Sequence, residues 1–304
     1  MGDIMEEYYT NLFTTNQPTN FNELLQALQT KVTPQMNQML DKVFTASEVH
    51  VALKQMHSLK APGPDGMPPL FYQQFWPIVG EVVNKTILDF LNHGLYPPNF
   101  NETHIVLIPK VKEPKRVTDF RLISLCNVVF RITSKVIANK LKKILPSIIS
   151  DTQSAFVHGR LITDNVLVAF ETMHHINGKM GGKRGEMALK LDMSKAYDRV
   201  EWLCLEKIMA KLGLGEKWRS LIMKCVTSVS NSVKINGKPR GKIIPSRGIR
   251  QGDPLSPYLF LLCVEGLSAL IKKSMDMGEM EGITICRGAP CLLHLFFAND
   301  SIIF

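Results

Sequence analysis

Apolar residues recur along this chain at two spacings, one near 3.6 positions and one near 2. Helical spacing dominates the first third. It predicts helices over 21–29 and 35–43, split by Thr33-Pro34. A third runs from Thr45 to about Leu59, with Glu48 three positions after Thr45 in capping-box spacing. Residues 69–93 read as one long amphipathic helix. Phe71, Phe75, Val79, Val82, Ile87 and Phe90 form its apolar face, and Gly94 with Pro97-Pro98 ends it. Residues 1–45 as a whole read as peripheral.

Strands then begin to alternate with helices. THIVLIPK at 103–110 is β-branched, aliphatic and stopped by Pro109. DFRLISL at 119–125 is extended, 127–145 is a basic amphipathic helix, and 163–176 is another helix. GKMGGKRGE at 178–186 lacks the Gly-Lys-Ser/Thr ending of a phosphate loop and reads as a connector. MALKLDM at 187–193 reads as a central strand. Asp198, with Glu201 three positions on, reads as the N-cap of a helix to Leu212. A helix over 216–228 leads to strands at 229–236 and 241–245, joined by the hairpin turn Asn236-Gly237. A helix over 255–273 precedes strands at 281–286 and 292–298. The last stretch, HLFFANDSIIF, is a hairpin with Asn299 and Asp300 at its turn. This order predicts an α+β fold.

The 304 residues are 45% hydrophobic, enough for one large domain or two ordinary ones. No apolar run reaches the roughly 18 residues of a membrane span. The acidic N-terminus lacks the basic and apolar regions of a signal peptide, so an intracellular place is expected, nucleus or cytoplasm undecided. The six cysteines form no CxxC pair and read as small buried hydrophobes; Cys286, Cys291 and His294 match no common zinc spacing.

The net charge of +9 changes the picture because it is concentrated. Residues 110–143 carry ten Lys or Arg against two acids, and 234–250 add six more cations with no acid. Two such blocks point to a polyanion, nucleic acid first. KAPGPDG at 60–66 cannot be helix or inner strand. It is either a connector or a loop whose backbone approaches a phosphate chain or template base.

Asp192 ends an apolar strand, where a carboxylate is costly unless paired or metal-bound. Set beside a hairpin turn that also carries carboxylate, it would form a two-metal clamp. Such a clamp aligns a 3′-hydroxyl, a triphosphate and the departing pyrophosphate.

The chain resembles the reverse transcriptase region of plant LINE-type, non-LTR retrotransposons. Seven stretches carry the resemblance in order: KAPGPDG at 60–66, THIVLIPK at 103–110, DFRLISLCNVVFRITSKVIANKL at 119–141, SAFVHGRLITDN at 154–165, KLDMSKAYDRVEW at 190–202, RGIRQGDPLSPYLF at 247–260 and HLFFANDSIIF at 294–304. The resemblance implies a right-hand polymerase fold: a linker region over 1–45, an N-terminal extension and fingers over 46–177, and palm over 178–304. It implies RNA-directed DNA synthesis with two Mg2+ ions, an RNA template, a DNA primer and deoxynucleoside triphosphates.

By the same resemblance Asp192 and Asp300 hold metal, and Asn299 stands at a third catalytic position. Lys110 and Arg121 hold the triphosphate, Tyr197 lies beneath the incoming sugar, and Gln251 and Gly252 pack near the nascent base pair. Arg160, Lys140, Arg247 and Arg250 are expected on nucleic acid, with His158 and Asn165 near template and nucleotide. Asp253 either caps the helix after it or serves catalysis.

Three departures stand out. The family's hairpin tip is Phe or Tyr, Ala, Asp, Asp; here it is Phe297, Ala298, Asn299, Asp300. Asn299 offers a neutral oxygen where magnesium prefers an anion, so synthesis is expected to be impaired. Leu122 replaces the Pro that usually follows Arg121 and is expected to loosen that turn. From the resemblance the chain is expected to be a truncated copy of a decayed element, without thumb or upstream endonuclease. The alternative function is a catalytically dead nucleic-acid-binding remnant; a third is an interaction domain that has lost both roles.

Overall fold

The computed structural model describes residues 2–179 and 185–304. The expected glycine-rich connector at 178–186 falls largely outside them. The first half contains α1 (Gly2–Phe13), α2 (Asn22–Ala27), α3 (Pro34–Leu40), α4 (Ala46–Lys54), α5 (Pro69–Gln74), α6 (Trp76–Leu88), β1 (Glu102–Pro109), β2 (Phe120–Cys126), α7 (Val128–Leu141), α8 (Leu145–Ile148) and α9 (Ile162–Gly178). The second contains β3 (Leu189–Asp192), α10 (Trp202–Leu212), α11 (Glu216–Thr227), β4 (Ser230–Ile235), β5 (Lys238–Ile243), α12 (Ser256–Asp276), β6 (His294–Phe297) and β7 (Asp300–Ile303). The fold is α+β.

Local chemistry explains several boundaries. Thr45 and Glu48 make both bonds of the capping box that opens α4. The helix expected over 69–93 is broken instead. Pro77 sits in the first turn of α6 and has no N–H to continue the ladder from α5, so the chain bends at Phe75. Asn236 and Gly237 both adopt positive φ, 49° and 80°, and close the β4–β5 hairpin as their sequence demands.

The sheets are less local. One has the order β2-β1-β4-β5, with β1 parallel to β4. It draws strands from both sides of the 177/178 boundary, which therefore does not separate two sheets. The other has the order β3-β7-β6 and is antiparallel. In it β3 is an exposed edge, not the expected central strand, because alternation reports faces and not neighbours. The strand expected over 281–286 reduces to a single bridge, Ile283 to Leu292.

The main core packs α4, α6, α7, α10, α11 and α12 around side chains such as Ile87, Phe130, Ile137 and Trp218. Residues 1–45 are not peripheral. Tyr9, Leu12 and Phe13, spaced three and four apart on α1, bury against Ile105, Leu122, Val233 and Ile243 of the first sheet. Leu122 lies in β2, paired with Leu107, and its side chain fills this small core. The expected loosened turn is regular strand.

KAPGPDG is held by its own neighbours. A Cβ on Gly63 would stand 2.4 Å from the Cys126 carbonyl carbon, and Arg131 donates to Ala61 O at 2.7 Å. The loop's close backbone approach is to the β2–α7 junction.

Candidate active site

Asp192 is the last residue of β3 and lies directly opposite Asp300 of β7. Residues opposite each other on antiparallel strands share a face, so both carboxylates project to the same side. The β6–β7 turn lies beside them. Ala298 holds it with φ 53°, and Asn299 Nδ2 donates to Asp192 Oδ1 at 3.4 Å. The amide thus gives Asp192 a donor where a third carboxylate would give a metal an anion.

A cavity of about 610 Å³ opens beside this turn. Lys110, Arg121, Asp192, Tyr197, Gln251, Gly252 and Asn299 all line it, brought from the end of the β1 arm, β2, β3, the turn after β3, the loop before α12 and the hairpin tip. Lys110 and Arg121 are exposed, Arg121 on β2 and Lys110 just past the end of β1, held near each other by the pairing Ile108 to Arg121. Tyr197 stacks on Phe260 with centroids 4.9 Å apart and planes 14° from parallel, which holds its ring rigid. Burial pushes its hydroxyl up to about 12.

The Gln251 loop is stitched in place from two sides. Ile249 N donates to Tyr197 O at 2.9 Å, and Ser124 N of β2 donates to Gln251 O at 2.9 Å. Gly252 has φ 108°, open to glycine alone.

A larger depression of about 870 Å³ runs along Thr30, Asn37, Asp41, Lys42 and Gly213, but it gathers only one acid and one cation. The chemistry lies in the smaller cavity. Among the described residues no three His, Cys, Asp or Glu side chains gather to hold a metal; Asp192 and Asp198 line the cavity, and Asp300 stands opposite Asp192 on the adjoining strand.

The family model for reverse transcriptase (RNA-dependent DNA polymerase) matches residues 108–304, which includes every named residue lining the smaller cavity. The chain belongs to this family. This reverse transcriptase domain is 29% identical over 90% of its length to the transposon TX1 149 kDa protein of Xenopus laevis. It is 26% identical over 99% of its length to the Pol polyprotein of the R2DM retrotransposable element of Drosophila melanogaster. It spans 21% and 26% of those relatives' lengths. A mitochondrial protein of Arabidopsis thaliana, AtMg01250, is 52% identical over 67 residues, 22% of this chain and 55% of its own length. The family implies a nucleic-acid template, nucleotide substrates and divalent metal ions.

Several expected residues do other work in this reverse transcriptase domain. The four cations expected on nucleic acid are engaged inside the protein, their side chains only 7–16% exposed. Arg160 donates to Ser150 O, Gln153 O and Ile149 O, tying down the chain after α8. Lys140 lies over the Phe44 ring and bonds Lys42 O. Arg247 donates to Leu12 O and pairs with Glu201 at 3.2 Å, so it anchors α1. Arg250 pairs with Asp253 at 2.7 Å, bonds Asn101 and Thr103, and packs on Phe130. A buried cation must find partners nearby, and these have found them. Lys110 and Arg121 line the cavity and are exposed, and Lys112, Lys115 and Arg116 are exposed in the chain between β1 and β2.

Two further aspartates are buried beside the cavity and the start of α12. Asp253 is buried, bonds Ser134, and accepts from Leu255 N at 2.9 Å at the start of α12. Its role is structural. Asp198 does not cap α10. It lies in a 3-10 turn, and extended Val200 delays the helix to Trp202. Its carboxylate is 3% exposed, accepts from Gln251 Nε2 at 3.3 Å and lines the cavity. Burial pushes its pKa up to about 6.

Lys195 escaped the motif reading, and His294, weighed there only as a zinc ligand, is a buried structural residue. Lys195 lines the cavity with φ 55° and is bonded to Tyr8 of α1. His294 of β6 bonds Thr152 and Ser268 at 2.9 and 2.8 Å, and burial lowers its pKa to about 4. The apolar spacing of Tyr9, Leu12 and Phe13 is the one signal that could have placed α1. His294 lies in an ordinary apolar run.

Proposed function

We propose that this chain is the fingers and palm of a right-hand polymerase from a plant LINE-type, non-LTR retrotransposon. In this reading it extends a DNA primer on an RNA template with deoxynucleoside triphosphates. The observation that carries it is the cavity where Lys110, Arg121, Asp192, Tyr197, Gln251 and Gly252 meet. Lys110 and Arg121 face the triphosphate, Lys as a point charge and Arg through its planar fork. Tyr197, rigid against Phe260, crowds a ribose 2′-hydroxyl. The backbone around Gln251 and Gly252 comes close to the forming pair.

Asp192 and Asp300 supply two hard anionic oxygens on one face, a donor set that fits magnesium completed by water and phosphate. Bound there, the metal would polarise the phosphoryl centre and stabilise charge on the leaving pyrophosphate. The set falls one anion short of the family's tip, because Asn299 presents N–H to Asp192. Loss of such a preorganised charge costs about 3 kcal/mol in the transition state, at least a hundredfold in rate.

Primer extension on an RNA template tests this, with the chain as it stands and with Asn299→Asp. The expected result is weak or no synthesis by the first and metal-dependent synthesis by the second. Robust synthesis by the unaltered chain sinks the impairment. No synthesis by either, with salt-dependent RNA binding intact, favours the non-catalytic remnant, a reading that exposed Lys110 and Arg121 support.

A further inference from the structure

The segment between α8 and α9 has no regular strand, yet it runs beside β6. Gln153 and Phe296 form an isolated parallel bridge. Phe296 N donates to Thr152 O at 2.8 Å, and Ser154 N donates to Phe296 O at 3.2 Å. The Gln153 side chain then extends past Phe296 to the hairpin turn. Its Oε1 accepts from Ala298 N at 3.2 Å and from Ala155 N at 2.9 Å. Ala298 carries the left-handed φ of the turn, a conformation alanine keeps only when its surroundings hold it. Asn299 and Asp300 follow directly.

The rest of the segment braces this contact. Arg160 donates to Gln153 O at 2.7 Å. Asn165 of α9 donates to Phe296 O at 2.9 Å and accepts from Ser154 Oγ at 2.5 Å. Both point inward, although the family resemblance set them near template and nucleotide.

Gln153 is 2% exposed and its Nε2 is buried with no partner. That half of the amide is a burden on the fold, while the oxygen satisfies two backbone amides, Ala155 N and Ala298 N, which an apolar side chain of the same size would leave unpaired. What the amide supplies to the hairpin turn is the acceptor for Ala298.

We propose that Gln153 is a positioning residue of the polymerase site: its side-chain oxygen holds the Ala298 amide and so sets Asn299 and Asp300 against Asp192. Arg160 and Asn165 belong to the same clamp. The effect on synthesis rests on the polymerase reading above; the clamp itself does not.

The test uses the full chain with Asn299→Asp as parent. Gln153→Leu keeps the bulk and loses the acceptor; Gln153→Met does the same where leucine packs badly. Gln153→Glu keeps the acceptor but buries a carboxyl. The expected results separate rate from stability. Gln153→Leu has a modestly lower Tm, because two backbone amides lose their acceptor, about a hundredfold lower kcat and an unchanged KM for nucleotide. Gln153→Glu has a lower Tm, with kcat restored to within a few-fold of the parent. Amide exchange at Ala298 rises about tenfold in Gln153→Leu and stays protected in Gln153→Glu. A kcat that follows Tm across the variants overturns the proposal, as does a Gln153→Leu variant with parental kcat. If the parent makes no DNA, the polymerase reading fails and Ala298 exchange alone decides: unchanged protection in Gln153→Leu refutes the clamp.

Discussion

Asp198→Asn isolates what a buried carboxylate does at the edge of the cavity. Burial raises the Asp198 carboxyl from 3.8 to about 6, against the pull of the Gln251 amide and the charges of Lys195, Lys110 and Arg199. A change of that size disfavours the ionised form in the folded state by about 3 kcal/mol. The sign follows from the raised value. The folded protein holds the proton more tightly, so the favourable contribution is complete below the unfolded value near 3.8 and is lost as pH rises through about 6. Asparagine keeps an oxygen for Gln251 and carries no charge. The variant should therefore be more stable by about 3 kcal/mol at pH 7.5, and by less than about 1 kcal/mol at pH 4. Urea unfolding at both values reads this, as a midpoint shift of about 1 M at the higher pH with an unchanged m-value. A variant no more stable than the parent at pH 7.5, or a gain of equal size at both pH values, refutes the reasoning.

Gly63→Ala drives a methyl into the Cys126–Asn127 backbone and should cost about 2 kcal/mol in urea; a loss below about 0.5 kcal/mol contradicts the packing. Arg250→Ala strands the buried Asp253 carboxylate and should destabilise by about 3–5 kcal/mol, with no change in the salt dependence of RNA binding. Arg121→Ala should do the reverse, leaving stability alone and lowering the salt slope by about one; equal slopes for both variants remove the distinction drawn between them. With Asn299→Asp as parent, Tyr197→Val should narrow discrimination against ribonucleotides about tenfold in competition assays, and unchanged discrimination removes the proposed role of the ring.

Much of the local structure was legible from the chain. The Thr45–Glu48 box, the Asn236-Gly237 turn and the final hairpin are short-range devices whose chemistry is complete within a few residues. The cavity was legible through motif resemblance, since each of its residues lies inside a recognisable stretch. The four cations were misread for a physical reason. Charge is visible in a sequence and burial is not, so Arg160, Lys140, Arg247 and Arg250 looked like exposed cations able to reach a polyanion. Asp198 was misread because capping spacing is common, and nothing local shows that extended Val200 will postpone the helix.

What lay within the residues themselves was the kind of chemistry: two aspartates, an asparagine in place of a third, cations, an aromatic and a glycine loop. What depended on packing was which of these meet. The parallel pairing of β1 with β4, the seating of α1 on the first sheet and the reach of Gln153 to Ala298 join residues far apart in the chain. Periodicity describes one element at a time. Contacts at that separation form only after loops have closed and cores have packed, so no local pattern announces them.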